Sequence, residues 1–205
     1  YVDEYSGNAN GIIIDQVGSV YIAGWKSSGD PSALQNDLLV KYDPDGNQLW
    51  HVSSGLEGRN NDVIVDGTGS VLVTGMSGSF GYSTRKYTNT GGLLWEATFA
   101  ESDVVAGAGG EAFALSVDSA NSLVVVGDVS NVFSNGTYIG TVKYDTNGNQ
   151  VWKYFVSGRS GGNSPSPPRT PVVTVDNTGN VFVAGTVSPA DIYGPTDYVT
   201  LKYSP

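Results

Sequence analysis

A self-similarity of about 51 residues runs through the whole 205-residue chain, and it limits the fold more than any other feature. Ile12–Gly24 (IIIDQVGSVYIAG), Val63–Gly75 (VIVDGTGSVLVTG), Leu115–Gly127 (LSVDSANSLVVVG) and Val173–Gly185 (VTVDNTGNVFVAG) are four copies of one pattern. Their aspartates, Asp15, Asp66, Asp118 and Asp176, lie 51, 52 and 58 residues apart. A second pattern follows each copy: LLVKYDPDGNQLW, STRKYTNTGGLLW, GTVKYDTNGNQVW and VTLKYSP. Lys-Tyr pairs recur at 41/42, 86/87, 143/144 and 202/203, and Trp50, Trp95 and Trp152 close the first three units. Units this short bury their apolar faces by stacking on their neighbours.

Each unit reads as strands. The runs VYIAG, VLVTG, LVVVG and VFVAG are β-branched and aromatic, end in glycine and are too short for helices. Between them the Asp side chain accepts backbone N–H groups while Gly supplies the positive φ of a tight turn. The first unit divides into strands A (12–15), B (20–24), C (38–42) and D (49–53), and four antiparallel strands per repeat of this length predict an all-β fold, a β-propeller of four blades. The last unit stops after its C strand, and residues 1–7 align with a D strand lacking its Trp. The N-terminal strand is therefore expected to close the last blade, leaving no bare edge at the seam. The reading is of one domain over 1–205, with repeats at about 8–54, 60–100, 111–157 and 171–205 plus 1–7.

Composition narrows the function. Twenty acidic and ten basic side chains leave a net charge of −10, which repels phosphate backbones and anionic lipid and argues against nucleic-acid partners. The longest apolar runs are four or five residues, far short of the ~20 of a membrane helix, so no membrane insertion is expected. Without cysteine there is no disulfide, thiol nucleophile or thiolate metal site. His51 is the only histidine, which leaves no multi-histidine metal site and gives a Ser-His-Asp arrangement one strand-borne candidate. No cofactor or metal is expected: Asp43, Asp45 and Asn47 alternate oxygens as a calcium loop does, but the distant Glu of an EF-hand is missing and a turn accounts for them. The chain opens on Tyr1 with no basic-then-apolar leader, which fits a removed signal peptide and an excised segment equally.

These residues resemble the SBBP family of bacterial β-propeller repeats, whose units carry an Asp-x-x-Gly-Asn hairpin, an aliphatic strand ending in Gly, then Lys-Tyr-Asp-x-Asp-Gly and Trp. Val173–Gly185 and Leu38–Trp50 match that pattern almost position for position. The resemblance covers the entire chain and implies a secreted or cell-surface bacterial or archaeal protein with no catalytic residues to carry over. The family usually has more blades, often seven. Repeat two departs from it: Thr88-Asn-Thr-Gly replaces the acidic turn, and Arg85 stands where Val40, Val142 and Leu201 stand. An arginine there must snorkel to an edge or find an anion.

Antiparallel order sorts the loops. The A–B and C–D turns, tight and uniform, share one end of every blade. The B–C connections (25–36, 76–82, 128–137, 186–197) and D–A connections (55–61, 100–111, 157–170) share the other, and they are long and unequal. Loops that vary on a repeating scaffold build binding surfaces. The binding candidates on this face are Trp25, Phe80, Phe133 and Tyr193 as stacking or interface groups, Arg85 as an anion-seeking group, and Asn135 as a glycosylation sequon. The expected function is a non-catalytic extracellular module that binds a protein or glycan partner, or assembles with copies of itself into an array or filament, through the long-loop face. The alternative is a carbohydrate-active hydrolase or lyase using an acidic pair among Glu57, Glu101, Asp103, Asp128 and Asp191. A third reading makes the chain half of a larger propeller, which would expose an apolar blade face.

Overall fold

A computed structural model describes residues 7–27, 35–55, 57–78, 81–100, 109–131, 136–158, 170–187 and 197–205. These residues form fifteen strands in four separate antiparallel sheets, each in simple sequence order. Sheet I holds β1 (Gly7–Ile14), β2 (Val20–Lys26), β3 (Asn36–Tyr42) and β4 (Gln48–Val52). Sheet II holds β5 (Gly58–Val65), β6 (Val71–Ser77), β7 (Gly81–Tyr87) and β8 (Leu93–Ala100). Sheet III holds β9 (Gly109–Val117), β10 (Leu123–Asn131), β11 (Gly136–Tyr144) and β12 (Gln150–Gly158). Sheet IV holds β13 (Val172–Val175), β14 (Val181–Val187) and β15 (Asp197–Tyr203), three strands among the described residues. Residues 1–6, read above as part of its fourth strand, lie outside the described residues, and Gly7 opens β1.

The turns are made as the repeat implies. In each A–B turn one oxygen of the aspartate accepts two backbone N–H groups, as Asp15 Oδ1 does from Val17 at 3.0 Å and Ser19 at 2.9 Å. Gly18, Gly69 and Gly179 take the positive φ of these turns, and Asn121 takes it in sheet III. The strands themselves run further than their glycine endings suggest. In sheet I, Ala9 pairs with Gly24 and Gly11 with Ala23, which leaves Asn10 as the extra residue of a β-bulge. The same bulge falls at Asn61 in sheet II and Phe113 in sheet III. The repeated glycine faces it: a Cβ on Gly24, Gly75 or Gly127 would lie 2.0, 1.9 or 2.1 Å from the carbonyl oxygen of Asn8, Arg59 or Glu111. The glycine therefore marks a close backbone approach inside the strand, and pairing continues beyond it.

Consecutive sheets pack face to face, and their first strands β1, β5, β9 and β13 lie next to one another. Tyr21, Ala23 and Leu39 of sheet I meet Val63, Val71, Val73 and Tyr87 of sheet II. Leu72, Tyr82 and Phe99 of sheet II meet Leu115, Leu123, Val125, Val142 and Tyr144 of sheet III. Val124, Val126 and Ile139 of sheet III meet Val181 and Val183 of sheet IV. The tryptophan row ties neighbours together: Trp50 Nε1 donates to the Asn89 carbonyl at 3.1 Å and Trp95 Nε1 to the Thr146 carbonyl at 3.0 Å, each in the next sheet. The lysine row pins turns, through Lys86 to Asp66 (2.8 Å) and Lys143 to Asp118 (3.2 Å). Among the described residues no helix is long and apolar enough to cross a membrane.

Candidate functional site

The three bulges do more than relieve pairing. An extra residue in an edge strand shifts the side-chain alternation by one and aims a side chain where the pleat would not. Asn10, Asn61 and Phe113, from β1, β5 and β9, are aimed into one cleft of about 550 Å³ that Asn8, Trp25, Arg59, Glu111 and Thr170 complete. It lies at the start of the first strands and the end of β2, which is the end of the sheets that carries the long, unequal connections.

Hydrogen bonds fix its walls. Asn10 Nδ2 donates to the Asn60 carbonyl at 2.9 Å, and Asn61 Nδ2 donates to the Ala112 carbonyl at 2.8 Å and to Glu111 Oε1 at 2.7 Å. Each bond crosses from one sheet to the next. Arg59 Nε and Nη2 meet the two oxygens of Glu111 as a fork. Behind them Asp128 accepts the Glu111 backbone N–H at 3.2 Å. Burial pushes the Asp128 carboxyl up to about 6; the Glu111 charge adds to the shift, and the Glu111 backbone N–H and Arg59 oppose it. Arg59 is held above its usual range mainly by the bond to Glu111. With that pair mutually neutralised, the cleft offers carboxamides, an indole and a phenyl ring around a compensated charge.

Of the residues singled out from sequence, Trp25 lines this cleft. Arg85 lies elsewhere, only 3% exposed, with Nη1 on Asp37 Oδ2 at 2.9 Å and Nε on Glu96 Oε1 at 2.8 Å. It has found its anions inside the molecule, across the junction of sheets I and II. Phe80, Phe133, Tyr193 and Asn135 lie outside the described residues. So do Glu101, Asp103 and Asp191, while Glu57 forms an isolated bridge with Asn36. Asn10, Arg59, Asn61, Glu111 and Phe113 were not anticipated. Their signal is faint: Gly7, Gly58 and Gly110 each stand eight residues before a turn aspartate, and the segments that follow, NAN, RNN and EAF, break the alternation of the strand. Among the described residues no group of three or more His, Asp or Glu gathers as a metal site would.

Four sheets of ordered antiparallel strands, three of which line one cleft, define an all-β repeat protein, and comparison with known proteins goes no further than that fold. No family model and no curated protein matches the chain. A solved structure of a protein of unknown function from Bacteroides caccae is similar to it, with a TM-score of 0.53 and 12% identity. The match covers 91% of this chain and 56% of that one, so this chain spans little more than half the length of its structural relative.

Proposed function

We propose that the four sheets are consecutive blades of a β-propeller of the SBBP type, and that the protein is a non-catalytic extracellular module binding a neutral glycan at the cleft on its long-loop face. Support for the blades comes from the row of adjacent first strands and the repeated face-to-face packing of sheet on sheet. One observation carries the binding reading: three bulges in three different sheets aim side chains into a single cleft beside Trp25. Aromatic faces stack on the apolar faces of sugar rings, carboxamide oxygens accept from hydroxyls while the Asn10 and Asn61 N–H groups hold the walls in place, and the neutralised Arg59–Glu111 pair gives no advantage to an anion.

The same geometry weighs against hydrolysis. Of the two candidate acids among the described residues, Glu57 and Asp128, Asp128 lies near the cleft, and its neighbour Glu111 has both oxygens held by Arg59 and Asn61. A carboxylate so engaged is a poor nucleophile or base. The test is a glycan array followed by calorimetry on any hit, with Trp25→Ala and Phe113→Ala alongside the wild type. Each variant is expected to weaken binding by about tenfold or more, roughly the loss of one stacking contact. Absence of any glycan ligand, or affinities indifferent to both substitutions, would overturn the reading.

A further inference from the structure

The two ends of the stack are the complementary halves of an interface that the molecule builds three times internally. On the first strand of each sheet, the residues three and one before the turn aspartate face the preceding sheet. In sheets II and III the first of these, Val63 and Leu115, are 4% and 6% exposed. In sheet I the same positions are Ile12 and Ile14, at 67% and 62%. Val20 and Ile22 beside them are half-buried, whereas their equivalents Val71, Val73, Leu123, Val125, Val181 and Val183 are fully buried. Sheet I therefore presents a complete receiving face with nothing packed on it among the described residues.

Sheet IV presents the opposite half. Tyr198 is 87% exposed, where Tyr82 and Ile139, at the same position in sheets II and III, are buried against the next sheet. Ala184 and Thr200 are exposed, where Thr74, Val126, Thr84 and Thr141 are buried. Lys41 of sheet I reaches across to the Asn89 carbonyl of sheet II at 3.1 Å. By repeat alignment, Lys202 at the equivalent position of sheet IV has the Pro44 carbonyl of a sheet I as its counterpart.

We infer that a second copy of this chain covers both faces, sheet IV of one copy packing on sheet I of the next, head to tail. The two faces continue the interface already present between sheets I and II, II and III, and III and IV, so a copy of the same chain is the occupant that fits both. Propellers hold about four to eight blades, so two copies of four sheets reach a closing count. That count rests on the propeller reading above, while the head-to-tail contact does not.

Sedimentation velocity and light scattering on the 205-residue chain, over roughly 1–100 µM, test the contact. The wild type is expected at twice the chain mass. Ile12→Asp and Tyr198→Asp, both at exposed positions and checked for an unchanged β-sheet circular dichroism spectrum, are each expected to weaken association more than tenfold. Mixing the two variants is expected to restore a one-to-one pair, because one keeps an intact sheet IV face and the other an intact sheet I face. A wild type that stays monomeric throughout, as it would if sheet IV closed on sheet I within one chain, overturns the inference. Association indifferent to both substitutions does so too. Growth beyond two copies that both substitutions abolish upholds the contact and counts against the ring.

Discussion

Asp128 and Asp176 carry the same carboxyl group into opposite situations. Burial drives the Asp128 carboxyl up to about 6 from an ordinary value near 4. The folded state then holds its proton more tightly than the unfolded one, so this group's contribution falls as pH rises from about 4 to about 6 and stays unfavourable above. Asp128→Asn keeps an acceptor for the Glu111 N–H and removes the buried charge. It is expected to stabilise the protein by on the order of 1–3 kcal/mol at pH 7.5 and by almost nothing at pH 4, read from thermal melts at both. An equal shift at the two pH values would contradict the assignment. Asp176 goes the other way, held below the carboxylate range first by the Asn180 amide, then by the Thr178 hydroxyl and backbone N–H groups. Its contribution is present above the unfolded value and lost as pH falls through the folded one. Asp176→Ala is expected to lower the melting temperature at pH 7, with the difference from wild type closing below about pH 3.

Between elements, the departures from the repeat are the informative positions. Arg85 replaces the Val40, Val142 and Leu201 of other sheets, and Asp37 replaces their Tyr82, Ile139 and Tyr198. The two deviations meet, at 2.9 Å, across the junction of sheets I and II. Removing one partner leaves a buried charge with lost compensation, so Arg85→Leu is expected to cost about 3–5 kcal/mol in urea unfolding. Arg85→Val combined with Asp37→Ile, which returns both sites to the repeat, is expected to recover most of that; a double variant no better than the single would contradict the pairing. Gly148 and Gly46 occupy equivalent turns at φ 84° and 86°, but a Cβ on Gly148 would lie 2.8 Å from Trp95, while one on Gly46 meets nothing within 4 Å. Both alanine variants bear the backbone strain, about 1–2 kcal/mol. Gly148→Ala is expected to be the worse of the two in the same assay, since it also displaces the ring that holds sheet II to sheet III.

At the scale of the molecule, what the sequence made legible was what local chemistry repeats. Aspartate and glycine punctuate most of the tight turns, aliphatic alternation marks the second strand of every sheet, and the tryptophans recur where sheets I, II and III meet the next sheet. The cleft was harder to read because it depends on breaks in that pattern. Asn10, Asn61 and Phe113 enter it through bulges that shift the alternation by one residue, and a period-two reading assigns them to the wrong face. Trp25 was visible because it stands where a repeated strand gives way to an individual loop. The anion for Arg85 was not, since Asp37 lies 48 residues away and only folding brings them together.

A glycan site at the bulge-lined cleft is open to nuclear magnetic resonance of the nitrogen-15-labelled chain titrated with chitohexaose and cellohexaose. Four tryptophans give four indole N–H signals, and two of them, Trp50 and Trp95, are already tied to carbonyl oxygens in the neighbouring sheets. Saturable shifts of the Trp25 indole and of the Asn10 and Asn61 side-chain amides are expected, with the Trp50 and Trp95 signals unmoved. Shifts centred on Trp50 or Trp95, or no shift anywhere with either sugar, would contradict a glycan site there.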